Sequence, residues 1–308
     1  MRFEVLLERY FTNFPKILLL NLIFAVPSAV AVGAIYGLMR LIGENILLYL
    51  LPIVLLYPFY SGMVACCRNI ARGDAVSRIL PYYLSVVKEH FGGFLLHGVV
   101  AYVAAVLSYF AISLYIHILS VSWFFYVLLF ICIIIVMFVL FMLFYVPLMT
   151  VTFELRLRYI YKNSFLMSFG ELKNNLFALF GIAVVAAICF TVTIVFRTPI
   201  SLAIAVGAMW ALLIPATCTF VTVFFIYDGM YNIIVNKAQR KQNLEAAINN
   251  GGKMPEPKPA DPLEDFSDID VSTLRDTDDY IFHNGKMVKQ STILRLIREQ
   301  QEREDKHE

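Results

Sequence analysis

Few side chains in this sequence could do chemistry, and those that could are scattered through long apolar stretches of the kind that cross membranes. The candidate positions are uncharged polar residues, two histidines and one aspartate, and they are Asn21, His97, Ser108, His117, Thr217, Thr219, Thr222 and Asp228. Polar and ionisable groups at membrane depth are costly to bury, so they mark functional positions. We expect Asn21 to form an interhelical hydrogen bond, and each histidine either to lie at the membrane interface or to be hydrogen-bonded.

The sequence offers no recognisable metal or cofactor site. His97 and His117 are separated by 20 residues, or about 30 Å along one helix, so they cannot share a metal ion. The cysteines occur in no CxxC or zinc-type spacing, and they are Cys66, Cys67, Cys132, Cys189 and Cys218. Free cysteine behaves as a small hydrophobe, which predicts a packing role for all five. We therefore expect no cofactor and no metal ligand.

The sequence also lacks the motifs of common enzymes. There is no HExxH, no GxSxG, no glycine-rich phosphate loop and no pair of carboxylates at a catalytic spacing. No cluster of basic and aromatic residues indicates nucleic-acid binding. These observations predict a protein that is not an enzyme and has no catalytic residue.

Composition explains why candidate residues are so few. Of 308 residues, 60% are hydrophobic and 16% are charged, against about 25% charged in an average soluble domain. The apolar residues form runs long enough to cross a bilayer. We predict an all-α, polytopic membrane protein with six helices in three hairpins: Ile17–Met39, Ile46–Cys67, Gly92–Ile118, Val121–Thr150, Asn174–Phe196 and Ile200–Tyr227. Prolines within these helices are expected to cause kinks.

The segments between the hairpins are basic and amphipathic. Helical spacing of apolar residues predicts interfacial helices over 3–14, 78–89 and, more loosely, 154–173, and a polar connector over 68–74. Eleven Lys/Arg residues fall on this side of the predicted helices, while only Arg40 and Arg197 fall on the other. This bias places both termini in the cytoplasm. Candidate contacts with inner-leaflet lipid are Arg68, Arg72, Arg78, Lys88, Arg156, Arg158, Lys162 and Lys173.

The composition changes near residue 236, which predicts a transmembrane domain over 1–236 and a cytoplasmic tail over 237–308. Residues 236–250 favour a continued helix, and 253–279 are rich in Pro, Asp and Glu, as is typical of a disordered linker. Asn284-Gly285 predicts a two-residue hairpin across 280–289, and 292–304 predicts a short charged helix. Two alternatives stay open: the tail is mostly disordered, or it docks on a partner.

Two stretches resemble a known family. The first is Phe14-Pro-Lys-Ile-Leu-Leu-Leu-Asn21-Leu-Ile-Phe-Ala-Val-Pro27-Ser-Ala-Val, and the second is Gly62–Gly73, followed by an aromatic segment ending Lys88-Glu-His-Phe91. They are similar to the YesL-like proteins of Gram-positive bacteria, membrane proteins built around a domain of unknown function. The resemblance covers roughly residues 10–230, without the tail. Ser28 is the nearest hydroxyl after Pro27, where the family often has Thr.

The resemblance implies a location in the bacterial plasma membrane and an accessory role beside carbohydrate ABC importers, with permease subunits as possible partners. It supplies no catalytic residues. Two alternative functions remain open: a transporter in its own right, with a path lined by the candidate positions above, and a membrane scaffold for envelope assembly.

Overall fold

The computed structural model describes residues 2–74, 78–196, 198–249, 280–283, 286–291 and 293–294. Apart from one short hairpin, the elements are helical. In chain order they are α1 (Arg2–Thr12), α2 (Phe14–Ile42), α3 (Ile46–Leu50), α4 (Pro52–Arg72), α5 (Ile79–Ile118), α6 (Phe124–Thr152), α7 (Leu157–Gly170), α8 (Leu172–Val195), α9 (Pro199–Leu212), α10 (Ile214–Asn249), β1 (Tyr280–His283) and β2 (Lys286–Lys289).

Within the described residues, six helical stretches are long and apolar enough to cross a membrane, which confirms the predicted class of fold. They are Phe14–Ile42, Ile46–Arg72, Ile79–Ile118, Phe124–Thr152, Leu172–Val195 and Ile214–Val235. The predicted helix at the N-terminus is also present as α1. The turn predicted near residues 119–122 separates α5 from α6.

Two predicted boundaries were wrong. The polar connector at 68–74 is mostly helical, because α4 continues to Arg72 and ends only where Gly73 takes a positive φ of 86°. The predicted interfacial helix at 78–89 and the next membrane helix are one helix, α5, of 40 residues. At 1.5 Å per residue α5 is about 60 Å long, so it extends well beyond a bilayer core of about 30 Å. Gly92 and Gly93 do not interrupt it.

The sixth predicted helix was also wrong, because it is broken. α9 ends at Leu212, Leu213 leaves the helical conformation with φ −129° and ψ −54°, and α10 begins at Ile214. A milder interruption at Leu51 separates α3 from α4, where Pro52 takes the first helical position. In contrast, Pro27, Pro58 and Pro147 lie inside continuous helices.

Helices α4 and α5 pack closely through two glycines. A β-carbon on Gly62 would come within 2.7 Å of the Tyr83 ring, and one on Gly98 within 2.7 Å of the Tyr57 β-carbon. Only a residue without a side chain allows this approach of the two backbones. The pairing fixes the position of Tyr57, which matters for the cavity described below.

The chain divides into two compact units, Met1–Val151 with Leu157–Gly229, and Thr152–Arg156 with Met230–Glu308. The predicted domain boundary at residue 236 falls inside α10, whose helix continues to Asn249 as expected. In the second unit, β1 and β2 pair antiparallel with Tyr280 opposite Lys289, which confirms the hairpin. The Asn284-Gly285 turn, the linker at 253–279 and most of the predicted helix at 292–304 lie outside the described residues.

Candidate functional site

Asn21 of α2 holds the break between α9 and α10. Its side-chain nitrogen donates to the carbonyl oxygens of Leu212 (3.0 Å) and Leu213 (3.3 Å), and its side-chain oxygen accepts from the Ala216 N–H (2.8 Å). In a continuous helix the Ala216 N–H would donate to Leu212. The Asn21 amide is therefore inserted into that one hydrogen bond and satisfies both of its ends.

Pro215 explains why the break occurs at this position. Proline has no N–H, and its ring clashes with the carbonyl one turn earlier, so it weakens the helix at Leu213. The freed groups must find partners inside the protein, because lipid offers none. Asn21 is fully buried and provides partners for the Leu212 and Leu213 carbonyls and the Ala216 N–H. The prediction of an interhelical hydrogen bond at Asn21 is thus confirmed.

A cavity of about 1260 Å³ lies beside the break. Its walls come from α2, α4, α9 and the start of α10, with single residues from α6 and α8. On α9 the lining positions include Ala203, Val206, Gly207 and Trp210, which share one helix face. Pockets for small molecules commonly measure about 300–1,000 Å³, so the space is ample.

The cavity walls are mainly apolar, with a few hydroxyls. Ser28 donates to Phe24, Thr219 to Pro215 and Thr222 to Cys218, each to a carbonyl oxygen of its own helix at 2.7–2.8 Å. Those hydroxyls therefore offer only acceptor lone pairs to a ligand. Donors come from the Tyr57 and Tyr60 hydroxyls and the Trp210 indole. Among the described residues that line the cavity, none is charged.

His97 lies in a separate polar cluster that joins three helices. It is 1% exposed, and its Nδ1 lies 2.8 Å from the Tyr161 hydroxyl of α7. Its Nε2 lies 3.1 Å from the Thr150 hydroxyl of α6, whose own hydrogen goes to Val146. Because the Thr150 hydroxyl can only accept, Nε2 carries the proton and donates to it, which leaves Nδ1 to accept from the Tyr161 hydroxyl. The cluster links the three helices through hydrogen bonds, so His97 is hydrogen-bonded, which is one of the two predicted possibilities.

The remaining candidate polar residues do not converge on one path. His117 is exposed and bonds the Ser113 carbonyl of its own helix at 2.7 Å, and Ser108 bonds Ala104 in the same way. The Thr217 hydroxyl lies 3.1 Å from that of Tyr10 in α1. Asp228 is exposed. Of the predicted path, only Thr219 and Thr222 line the cavity, and Asn21 supports its wall.

The basic candidates fall into two groups. Arg68 is 9% exposed, and its guanidinium donates to the Val151 carbonyl, the Asn69 side chain and the Tyr82 hydroxyl. These bonds link α4 to the end of α6 and leave few of the guanidinium N–H donors for a lipid headgroup. The others are exposed, and they are Arg72, Arg78, Lys88, Arg156, Arg158, Lys162 and Lys173. Arg72 also pairs with Asp74 at 3.1 Å.

Sequence reasoning missed several structural polar residues. Asn175, fully buried, accepts from the Tyr145 hydroxyl at 2.7 Å and donates to the carbonyls of Met167 and Ser168. An amide in the first turn of an apolar run was the available signal. Tyr57 and Tyr60 carried no such signal, since tyrosine is common in membrane helices.

No metal site emerges where the chain is described: no three or more His, Cys, Asp or Glu residues come together there. The five cysteines are free thiols. What the described part defines is a polytopic membrane protein with a broken helix beside an uncharged cavity.

Part of this chain is similar to a known protein family. Residues 17–112 match the model of a family described as "Protein of unknown function, DUF624". The match covers α2 through most of α5, including Asn21 and the close α4–α5 packing, and ends before the α9–α10 break. No curated protein and no solved structure matches the chain.

Proposed function

We propose that this protein is a non-enzymatic membrane permease whose cavity beside the α9–α10 break receives a small molecule. The main observation behind this proposal is the break between α9 and α10. A proline lies at the break between α9 and α10, a buried amide from another helix stabilises the break, and the cavity adjoins it. Membrane helices are broken where the freed backbone is buried or lines a cavity, and transporters place their substrate sites at such breaks.

The chemistry of the cavity supports binding rather than catalysis. The lining contains the Cys218 thiol and a few hydroxyls, but no histidine or carboxylate among the described lining residues that could activate them as a base. Hydroxyl and indole groups can orient a ligand without transforming it. The cavity therefore suits a molecule that enters and leaves unchanged.

An accessory role for a carbohydrate ABC importer is the second candidate. It rests on the resemblance to YesL-like proteins and on one surface feature. Gly33 and Gly37 of α2 are exposed, and a β-carbon on either would meet nothing within 4 Å. Small residues at this spacing let membrane helices approach closely. A helix of a partner permease subunit could pack on this face.

We further propose the orientation that the basic residues favour, with both termini in the cytoplasm of a bacterial cell. The seven exposed basic residues then lie near the anionic inner leaflet. Each would contribute about 1 kcal/mol of attraction to that surface.

Purification from the native membrane in a mild detergent after crosslinking separates the two candidates. The permease proposal expects the protein to purify without stoichiometric partners. ABC permease subunits recovered in stoichiometric amounts, and lost on Gly37→Leu but not on Gly93→Leu, would instead establish the accessory role. Gly93 of α5 also has open space around it, so it controls for added bulk in a membrane helix.

A further inference from the structure

We infer that the cavity takes an uncharged lipid, with a hydrocarbon chain and a small hydroxyl- or carbonyl-bearing head, rather than a free sugar. This inference rests on the proposed function, since it names the class of molecule that the permease site would accept. Three observations lead to it: where the cavity opens, what lines it, and how its few polar groups are arranged.

The cavity opens sideways, along the apolar length of the helices. Val32 of α2 is 60% exposed, and Val206 and Trp210 of α9 are 46% and 41% exposed, although all three line the cavity. In a membrane, the surroundings of these residues are acyl chains rather than water. A ligand entering by this opening must already be dissolved in the bilayer, which favours a lipid and disfavours a free sugar.

The lining selects against charge and against many hydroxyls. A phosphate or carboxylate head would find no basic side chain among the described lining residues, and an unpaired charge is costly to bury. A free sugar would place several hydroxyls against apolar walls, each costing free energy when left without a partner. Burying a hydrocarbon chain in the cavity incurs neither of these costs.

The polar groups suit one small head. Within the described residues, neither the Tyr57 hydroxyl nor the Trp210 indole has a hydrogen-bond partner, so both can donate to a ligand oxygen. The Tyr60 and Thr219 hydroxyls lie 3.5 Å apart, and Thr219 keeps an acceptor lone pair because its hydrogen goes to Pro215. Together they offer donors and acceptors to a carbonyl or hydroxyl.

Trp210 gives a direct probe of occupancy. The chain has two tryptophans, and Trp123 does not line the cavity, so Trp123→Phe leaves Trp210 as the sole indole fluorophore. The purified full-length Trp123→Phe protein in detergent would be titrated with a brominated monoacylglycerol, which quenches indole at short range. We expect saturable quenching that unlabelled monoolein reverses and that methyl glucoside does not.

Two alanines of α9 provide the matched pair of variants. Ala203 lines the cavity and Ala208 does not, although both are exposed. In the Trp123→Phe background, Ala203→Phe should abolish the saturable quenching, and Ala208→Phe should leave it unchanged. Thermal unfolding of each variant would confirm that it is folded.

Three outcomes would overturn the inference. Quenching that is linear in probe, or equal in the two alanine variants, would mean contact with surrounding lipid only. If brominated stearate gave saturable quenching and bound at least as tightly as the neutral lipid, the selection against charge would be contradicted. A saturable response to methyl glucoside would make the ligand a sugar while leaving the permease proposal standing. Conversely, selective lipid binding without any transport in liposomes would support the inference and remove the permease proposal.

Discussion

At the scale of single residues, one amide stabilises the break between α9 and α10. Asn21 fills both halves of a hydrogen bond that the break opens, between the Leu212 carbonyl and the Ala216 N–H. Because the buried Asn21 side chain bonds both the carbonyl and the N–H, neither backbone group is left without a partner. A residue without donor and acceptor at position 21 would leave them unpaired.

Replacing Asn21 by leucine should therefore lower the free energy of unfolding by about 1–3 kcal/mol for each group left unpaired. Ser28→Ala is the matched control, because Ser28 is buried in the same helix but bonds only the Phe24 carbonyl one turn away. Reversible unfolding in mixed micelles would measure both variants. Equal, small losses in the two would show that Asn21 does not stabilise the break.

The type of contact at Asn21 could be predicted from the sequence, but its partner could not. An amide within an apolar run must find a hydrogen bond in the protein, and that much follows from position 21 alone. The partners lie 191–195 residues away, at a point that no local pattern indicates. The cavity was beyond prediction for the same reason, since Tyr57, Trp210 and Thr219 meet only after the helices pack.

At the scale of helices, prolines and glycines act according to what surrounds them. Pro215 accompanies a break because Asn21 can satisfy the freed backbone, while Pro27, Pro58 and Pro147 stay inside helices. The lengths of the apolar runs predicted how many helices cross the membrane, because bilayer thickness sets the length that a crossing helix needs. It could not predict that α4 extends to Arg72, since polar residues do not end a helix and Gly73 does.

The two close glycines of the α4–α5 pair are expected to be intolerant of any side chain. Gly98→Ala should destabilise the protein by about 1–3 kcal/mol, because its β-carbon would clash with Tyr57. Gly93→Ala, in the same helix with open space around it, should be neutral or stabilising by up to about 1 kcal/mol. Thermal unfolding in detergent compares them. A Gly98→Ala protein as stable as Gly93→Ala would rule out the close approach.

At the scale of the first unit, α9 and the first part of α10 run antiparallel to α8. A β-carbon on Gly229 would lie 2.5 Å from the Glu171 carboxylate, next to the start of α8, while Thr198 follows the end of α8. The 24 residues of α8 span about 36 Å. α9 and the first part of α10 therefore return along the full length of α8, so together they make one crossing.

Cysteine accessibility in intact bacterial cells would test the proposed orientation. Glu44→Cys, Ser122→Cys and Thr198→Cys lie in turns predicted to face outward, and we expect a membrane-impermeant maleimide to label them. Asp74→Cys and Glu154→Cys should be labelled only after permeabilisation, because the basic connectors are predicted to face the cytoplasm. The unsubstituted protein serves as the background control. Labelling of Asp74→Cys alone in intact cells would reverse the orientation.

The central claim is that the cavity beside the broken helix is a route through the membrane. Its most direct test is transport into liposomes that contain only the purified protein, using labelled glucose, labelled maltose and a fluorescent monoacylglycerol whose outer-leaflet label can be chemically reduced. We predict protein-dependent crossing of the lipid probe, slowed about tenfold by Ala203→Phe, a change of 1.4 kcal/mol in barrier height. Ala208→Phe should leave the rate unchanged. Equal rates for the two variants, or no protein-dependent movement of any probe, would contradict the claim.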